Sequence, residues 1–208
     1  MYTGNVMVGG PADVHELPRL IVSKLAVGPH DNNAYLLRCR ESGRQALIDA
    51  AAEPGRLLDL IGADGLDLIV TTHAHRDHWQ ALADVVAATD TPTAAGALDA
   101  PDIPIPTDIP VADGERLRFG AIELEAIHLV GHTPGSIALL YDNPEGEPHL
   151  FTGDCLFPGG FGTMDDGVRL SFDARGYRSF GEGERFTLAA RVQGGAVLGA
   201  DILGTPRD

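Results

Sequence analysis

Lysine is almost absent from this chain of 208 residues, since Lys24 is the only one. Lysine and arginine together number 15 against 30 aspartates and glutamates, which gives a formal net charge of -15 at pH 7. Nucleic acids and anionic membrane surfaces are bound mainly through clustered basic side chains. The composition therefore argues against nucleic acid and against a lipid surface as the main partner.

Cysteine and long apolar runs are also scarce. Cys39 and Cys155 are the only cysteines, and their spacing matches no metal-binding or redox motif. No apolar run is long enough to span a bilayer, and residues 1–20 lack the basic start and apolar core of a signal peptide. We therefore expect a cytoplasmic protein. No pattern in the sequence indicates an oligomeric state.

One short segment concentrates side chains that bind metals. His73, His75, Asp77 and His78 fall within six positions. Imidazole and carboxylate are ligands that zinc and similar cations prefer. An apolar run over residues 66–71 predicts a buried strand before the segment, and helical spacing over 79–88 predicts a helix after it. Open α/β sheets place their sites at such strand ends.

Patterns elsewhere predict strands interrupted by few helices. Ser42-Gly43 supplies a hairpin turn, Pro54 indicates the start of a helix, and the proline-rich stretch 101–110 predicts an extended connector. Apolar and polar side chains alternate on both sides of Gly120, which indicates a second hairpin. The predicted strands cover residues 20–26, 34–40, 45–49, 116–119, 122–127, 136–141 and 149–152.

The pattern His-x-His-x-Asp-His resembles the second motif of the metallo-β-lactamase superfamily. Three further segments resemble other motifs of that family in the right order: residues 46–49 (Ala-Leu-Ile-Asp), 131–136 (Gly-His-Thr-Pro-Gly-Ser) and 151–154 (Phe-Thr-Gly-Asp). The last two are similar to the glyoxalase II-like branch. The resemblance covers roughly residues 19–162. It implies an α+β fold, the αββα sandwich of two mixed β-sheets with outer helices, whose C-terminal portion is incomplete or divergent here.

The resemblance also implies a set of metal ligands and a reaction. The first site takes His73, His75 and His132, and the second takes Asp77 and His78. Asp154 bridges the two metals. Asp77 would also orient the nucleophile and shuttle its proton. The implied function is a metal-dependent hydrolase that cleaves a small-molecule thioester, ester or lactone with a zinc-activated hydroxide.

The last part of the chain departs from the family pattern. The family's fifth motif supplies a final histidine ligand after Asp154, but no histidine follows His149. We therefore expect one tightly bound Zn2+ and a second, weaker one, completed by water or by a tail oxygen of Asp165 or Asp166. Residues 1–162 form the predicted domain, and 163–208 form an atypical tail, either a hairpin or poorly ordered. A shifted reading frame and genuine divergence are both consistent with that tail.

Two alternative functions stay open at this point. A mononuclear iron enzyme similar to the persulfide dioxygenases of the superfamily needs only one metal with histidine and aspartate ligands, so iron is a second candidate metal. A weakly active or inactive member that only binds metal is the other alternative, because the last ligand is missing.

Overall fold

The structure is a computed structural model that describes residues 2–157, 160–161, 168–180 and 186–198. The contacts within the chain divide it into two compact units, Met1–Cys155 and Leu156–Asp208. The predicted replacement ligands Asp165 and Asp166 lie outside the described residues. No helix in the described part of the chain is long and apolar enough to cross a membrane.

A seven-stranded mixed sheet forms the larger half of the first unit. Its strands lie side by side in the order of the chain. The seven strands are β1 (Asp13–Glu16), β2 (Leu20–Val27), β3 (Asn32–Cys39), β4 (Gln45–Ile48), β5 (Leu68–Thr71), β6 (Thr93–Gly96) and β7 (Ile109–Val111). Neighbouring strands are antiparallel from β1 to β4 and parallel from β4 to β7.

Two helices provide crossovers between the parallel strands, as such strands require. Helix α1 (Pro54–Ile61) joins β4 to β5, and α2 (Leu82–Thr89) joins β5 to β6. Proline is favoured at the start of a helix because its fixed φ suits the first turn and no backbone N–H is lost there. Both helices pack their apolar sides on one face of the sheet, through Leu57, Ile61, Leu82 and Val85.

The second sheet has four antiparallel strands, β8 (Arg116–Phe119), β9 (Ile122–His128), β10 (Ile137–Tyr141) and β11 (His149–Phe151). They lie side by side in the order β11-β10-β9-β8. Its inward residues, including Phe119, Leu124 and Leu139, share one buried cluster with Leu37 and Ile48 of the first sheet. The two sheets therefore pack face to face, with the helices outside the first.

The second unit contains two antiparallel strand pairs. The short strands β12 (Leu156–Phe157) and β13 (Gly160–Phe161) form one pair. The long strands β14 (Val168–Phe180) and β15 (Phe186–Leu198) form the other, with Val168 opposite Leu198 and Phe180 opposite Phe186. This second pair lies in the segment where the sequence predicts an atypical tail.

Most of the predicted strands are confirmed, with three differences. Strands β1, β6, β12 and β13 were not predicted, because β1, β12 and β13 are short and the four residues of β6 (Thr-Ala-Ala-Gly) carry a weak strand signal. The prediction of a connector over the whole of 101–110 is wrong at its end, where β7 begins at Ile109. Helix α2 begins at Leu82 rather than at Trp79, because residues 76–78 form a tight turn and the Trp79 indole N–H donates to the Ala74 carbonyl, 2.8 Å away.

A close backbone approach links the two sheets near the end of β6. A Cβ atom added to Gly96 would lie 1.9 Å from the carbonyl oxygen of Gly135, well inside any real contact. Any larger side chain at residue 96 must therefore push the loop before β10 away from β6.

We predict that Gly96→Ala lowers the free energy of unfolding by about 1–3 kcal/mol, the usual effect of overpacking. Urea unfolding followed by circular dichroism measures this. Gly55→Ala is the matched control, because a Cβ at this helical position meets nothing within 4 Å. Alanine is the better helix former, so the control should be at least as stable as the parent chain. A Gly96→Ala variant as stable as the control would contradict the close approach.

Candidate metal centre

Three separate segments bring the predicted ligands together. His73, His75 and His78 follow β5, His132 lies in the loop between β9 and β10, and Asp154 lies in a 3-10 turn over Gly153–Cys155. The backbone N–H of Ile137 donates to the carbonyl of Thr72, 2.9 Å away, which ties the start of β10 to the residue before the first ligand. The site therefore forms where the two sheets meet.

Three imidazole nitrogens converge in the first group. His75 Nδ1 lies 2.9 Å from His132 Nε2, and His132 Nε2 lies 3.1 Å from His73 Nε2. In a tetrahedral zinc site with bonds of about 2.0–2.1 Å, ligand nitrogens stand about 3.3 Å apart. The spacing and the choice of ring nitrogens are therefore compatible with three ligands to one cation.

A second group contains His73, His78 and Asp154, whose ligand atoms lie within 4.8 Å of one another. The Asp154 carboxylate faces both groups: Oδ1 lies 3.2 Å from His78 Nε2, and Oδ2 lies 3.8 Å from His132 Nε2. The carboxylate therefore faces both groups and would be available to a cation held by either.

His78 provides an independent test of whether a metal fits. Its ring is 3% exposed, and its Nδ1 contacts Asp49 Oδ2 at 2.8 Å. Its Nε2 has no aligned hydrogen-bond partner among the described residues, although Asp154 lies at ion-pair distance. A buried imidazole nitrogen that faces a carboxylate without an aligned hydrogen bond is a position that a bound cation would satisfy. The residues present therefore fit a divalent metal.

Asp49 fixes the tautomer of the first ligand through Thr72. Asp49 Oδ1 accepts the Thr72 backbone N–H at 2.7 Å, and Oδ2 accepts the Thr72 hydroxyl at 2.9 Å. The hydroxyl has a single proton, so towards His73 Nδ1, 3.0 Å away, it acts as an acceptor. His73 Nδ1 then carries the proton, and the lone pair of Nε2 faces the other imidazoles. Asp49 itself has a φ of 58°, a left-handed conformation that aspartate tolerates better than most residues.

Burial and neighbouring charges set opposite protonation states in two adjacent rings. Burial, together with the charges that His78 and His132 can carry, lowers the pKa of His73 to about 2. Burial also opposes the charged form of His78, but Asp49 and Asp154 outweigh it and raise the pKa of His78 to about 10. In the metal-free protein His73 is therefore neutral and ready to bind a cation, whereas His78 must first lose a proton.

Asp77 is the one predicted ligand that neither group contains within the described residues. The Asn32 side-chain amide donates to Asp77 Oδ2 at 2.9 Å and to the Asp77 carbonyl at 2.8 Å. Burial would raise the pKa of Asp77, but the bond from Asn32 and the charge of His78 together lower it. The side chain is therefore an ionised carboxylate held beside the cluster, and its role as a metal ligand stays a prediction.

Several residues that shape the site escaped the sequence prediction. Asn32 lies in a run of polar turn residues, and such turns are common without any function. Thr72 directly precedes the first ligand, which is the only local sign of its role. Asp99 accepts hydrogen bonds from both ligand-bearing loops, yet nothing near it in the sequence indicates this.

Comparisons with known proteins agree with this arrangement. A family model described as the metallo-beta-lactamase superfamily matches residues 27–186. The hydroxyacylglutathione hydrolase of Fuscovulum blasticum is 39% identical over 140 residues, which cover 66% of this chain and 53% of that protein. The chain thus spans about half the length of the curated relatives it matches.

Solved structures give the same picture. The protein TTHA1623, solved in a di-iron-bound form, is 37% identical with a TM-score of 0.57, over 68% of this chain and 76% of its own. The BLEG-1 B3 metallo-beta-lactamase is 23% identical with a TM-score of 0.62, over 69% of this chain and 77% of its own, and this likeness shows the fold. The predicted sandwich fold is confirmed, and the chain belongs to the metallo-β-lactamase superfamily.

Proposed function

We propose that this chain is a metal-dependent hydrolase that cleaves a small-molecule thioester, ester or lactone. The observation that carries the proposal is the convergence of two ligand groups around Asp154, whose two oxygens face different histidines. A pair of adjacent metal sites suits hydrolysis, because one site can hold the water and the other the carbonyl or leaving group. Among hydrolysable bonds, the names of the curated relatives favour a thioester.

The residues of the chain divide the work between the two sites. His73, His75 and His132 would hold the first metal. Asp77, His78 and Asp154 would hold the second, with Asp154 shared. Bound zinc supplies a Lewis acid and lowers the pKa of a coordinated water to about 7. Asp49 keeps His78 and, through Thr72, His73 in the orientation that binding requires.

Asp77 is the residue we assign to proton transfer. Its Oδ2 is occupied by the bond from Asn32, which leaves Oδ1 to take a proton from the attacking water. The lowered pKa of Asp77 keeps it ionised but makes it a weak base, so it would take a proton only from a water that a bound metal acidifies. Asn32 limits rotation of the carboxylate and thereby keeps Oδ1 in place. The earlier assignment of Asp77 as a ligand of the second metal remains part of this proposal.

The metal and the compartment are also proposals. Zinc suits three imidazoles and an open position, while the di-iron form of TTHA1623 supports iron as the alternative. A mononuclear iron dioxygenase would use only one metal, so His78 and the Asp154 oxygen that faces it would have no role. The group of His73, His78 and Asp154 therefore favours the hydrolase. Cys39 and Cys155 are both free thiols, as a reducing cytoplasm would keep them.

The two metal sites should differ in affinity. The first has three imidazoles, whereas no histidine follows His149 to complete the second. Loss of a residue that hydrogen-bonds to a metal ligand typically weakens metal binding by about 10–100-fold, and loss of the ligand itself should weaken it at least as much. We therefore predict close to one zinc per chain after dialysis, and two well-separated steps when stripped protein is titrated in a calorimeter.

Two ligand variants make this titration specific. His75→Ala should weaken the tight step, and His78→Ala should remove the weak step while the tight one persists. Metal analysis of aerobically purified protein distinguishes zinc from iron. Two sites of equal affinity in the parent chain would refute the prediction of unequal sites.

Hydrolysis itself should depend on the same imidazoles. We expect His75→Ala to lower kcat/KM at least about 100-fold on whichever of a hydroxyacyl thioester, a simple ester or a lactone the parent chain hydrolyses. His15→Ala is the control, because His15 lies on the edge strand β1 and belongs to neither ligand group, and it should retain full activity. Fully metallated protein without turnover on any of the three would leave a chain that only binds metal, contrary to the proposal.

A further inference from the structure

Asp99 is a fully buried carboxylate that joins the two loops carrying the three imidazoles. It lies in the turn after β6 and is 0% exposed. Its Oδ2 accepts the Ala74 backbone N–H at 2.8 Å and the Thr133 hydroxyl at 2.6 Å. Its Oδ1 accepts the Gly135 backbone N–H at 2.6 Å. Ala74 stands between His73 and His75, and Thr133 directly follows His132, so one side chain ties both loops together.

The hydrogen bonds of Asp99 account for its burial. An ionised carboxylate is expensive to bury unless other groups compensate its charge. No arginine or lysine of the described residues forms an ion pair with Asp99. The three hydrogen-bond donors from the two loops compensate the carboxylate instead. The bonds form only while the loops stay together, so the burial of this charge and the geometry of the loops depend on each other.

The segment between His73 and His75 has little freedom to move. Asp99 holds the N–H of Ala74, and the Trp79 indole N–H holds the carbonyl of Ala74 at 2.8 Å. On the opposite loop, a Cβ added to Gly135 would lie 2.3 Å from the Asp99 backbone nitrogen. The two loops are thus in tight contact at Asp99 and cannot shift independently.

We propose that Asp99 is a positioning residue that sets the distance and orientation between the His73–His75 segment and His132, and so tunes metal affinity at the three-imidazole site. Asp99 acts through the backbone of these loops and belongs to neither ligand group. The inference rests on the proposed function of this cluster as a metal site, and it is independent of which bond is hydrolysed.

Asp99→Asn changes the charge and the hydrogen-bond acceptors of the side chain but keeps its volume. A carboxylate accepts at both oxygens, whereas an amide has one oxygen and a donating NH2 group. One of the backbone donors, at Ala74 or at Gly135, would then face the amide NH2 and lose its acceptor. The side chain keeps its size, so the change leaves no cavity.

The test measures zinc affinity of the full chain in competition with a chelator. We expect Asp99→Asn to weaken the tight step by about 10–100-fold, as loss of an outer partner does, and to alter the visible spectrum of the cobalt-substituted protein. Hydrogen exchange of the metal-free variant should be faster at Ala74 or at Gly135, whichever N–H faces the amide NH2, than in the parent chain.

Gln45→Met controls for loss of stability alone. Gln45 is 3% exposed, and its amide donates to the carbonyls of Ile61 at 3.0 Å and Gly65 at 2.8 Å. Gln45 begins β4, whereas Asp49 follows its other end. This variant loses two hydrogen bonds, one of them buried, so it should unfold more easily while zinc affinity and the cobalt spectrum stay unchanged.

The outcomes are distinguishable from those that test hydrolysis. Unchanged zinc affinity in Asp99→Asn, or an equal loss in Gln45→Met, would overturn the positioning role whatever the activity. Tight zinc binding that Asp99→Asn weakens, without any turnover by the parent chain, would support the inference and refute only the hydrolase. A parent chain that binds no zinc would overturn both.

Discussion

The geometry of this site depends on two buried carboxylates, Asp49 and Asp99, which accept hydrogen bonds from the chain around the ligands. Asp49 follows β4 and binds Thr72 and His78, and Asp99 follows β6 and binds the peptide between His73 and His75. The two strands flank β5, so the ligand segment at the end of β5 is held from both sides. A buried carboxylate is stable only while its donors stay in place. The loops are therefore fixed by the same contacts that keep these charges satisfied.

This support has a consequence for the imidazoles. His132 Nε2 lies about 3 Å from both His75 Nδ1 and His73 Nε2, and a single ring proton can satisfy only one of these two pairs. A divalent cation would accept a lone pair from all three nitrogens at once, so the framework holds them in an arrangement suited to a bound metal. The second group differs, because His78 lies between Asp49 and Asp154 and exchanges a proton for a metal. The two groups therefore differ in whether a proton must leave before a metal binds, and this difference arises from residues before Leu156. It does not depend on the histidine ligand that is missing after Asp154.

The sequence predicts what depends on local spacing and misses what depends on distant contacts. The predicted ligands after β5 are recognisable because four of them fall within six positions, and His132 and Asp154 are predicted from the family motifs. Asp99 has no such signal, because its partners are 25, 34 and 36 positions away. Strand β6 is made largely of small residues, and it is a strand because parallel neighbours on both sides complete its hydrogen bonds. Asn32 resembles an ordinary turn residue until β3 brings it against Asp77.

Anomalous diffraction at the zinc edge, on crystals grown with zinc, locates the metal directly. We expect a peak bonded to His73 Nε2, His75 Nδ1 and His132 Nε2 at about 2.0–2.1 Å, with these side chains close to the positions described above. A principal peak elsewhere, or a zinc that reaches His75 through Nε2 after the loop has rearranged, would contradict this expectation. Either result would mean that the convergence of the three imidazoles does not form the metal site.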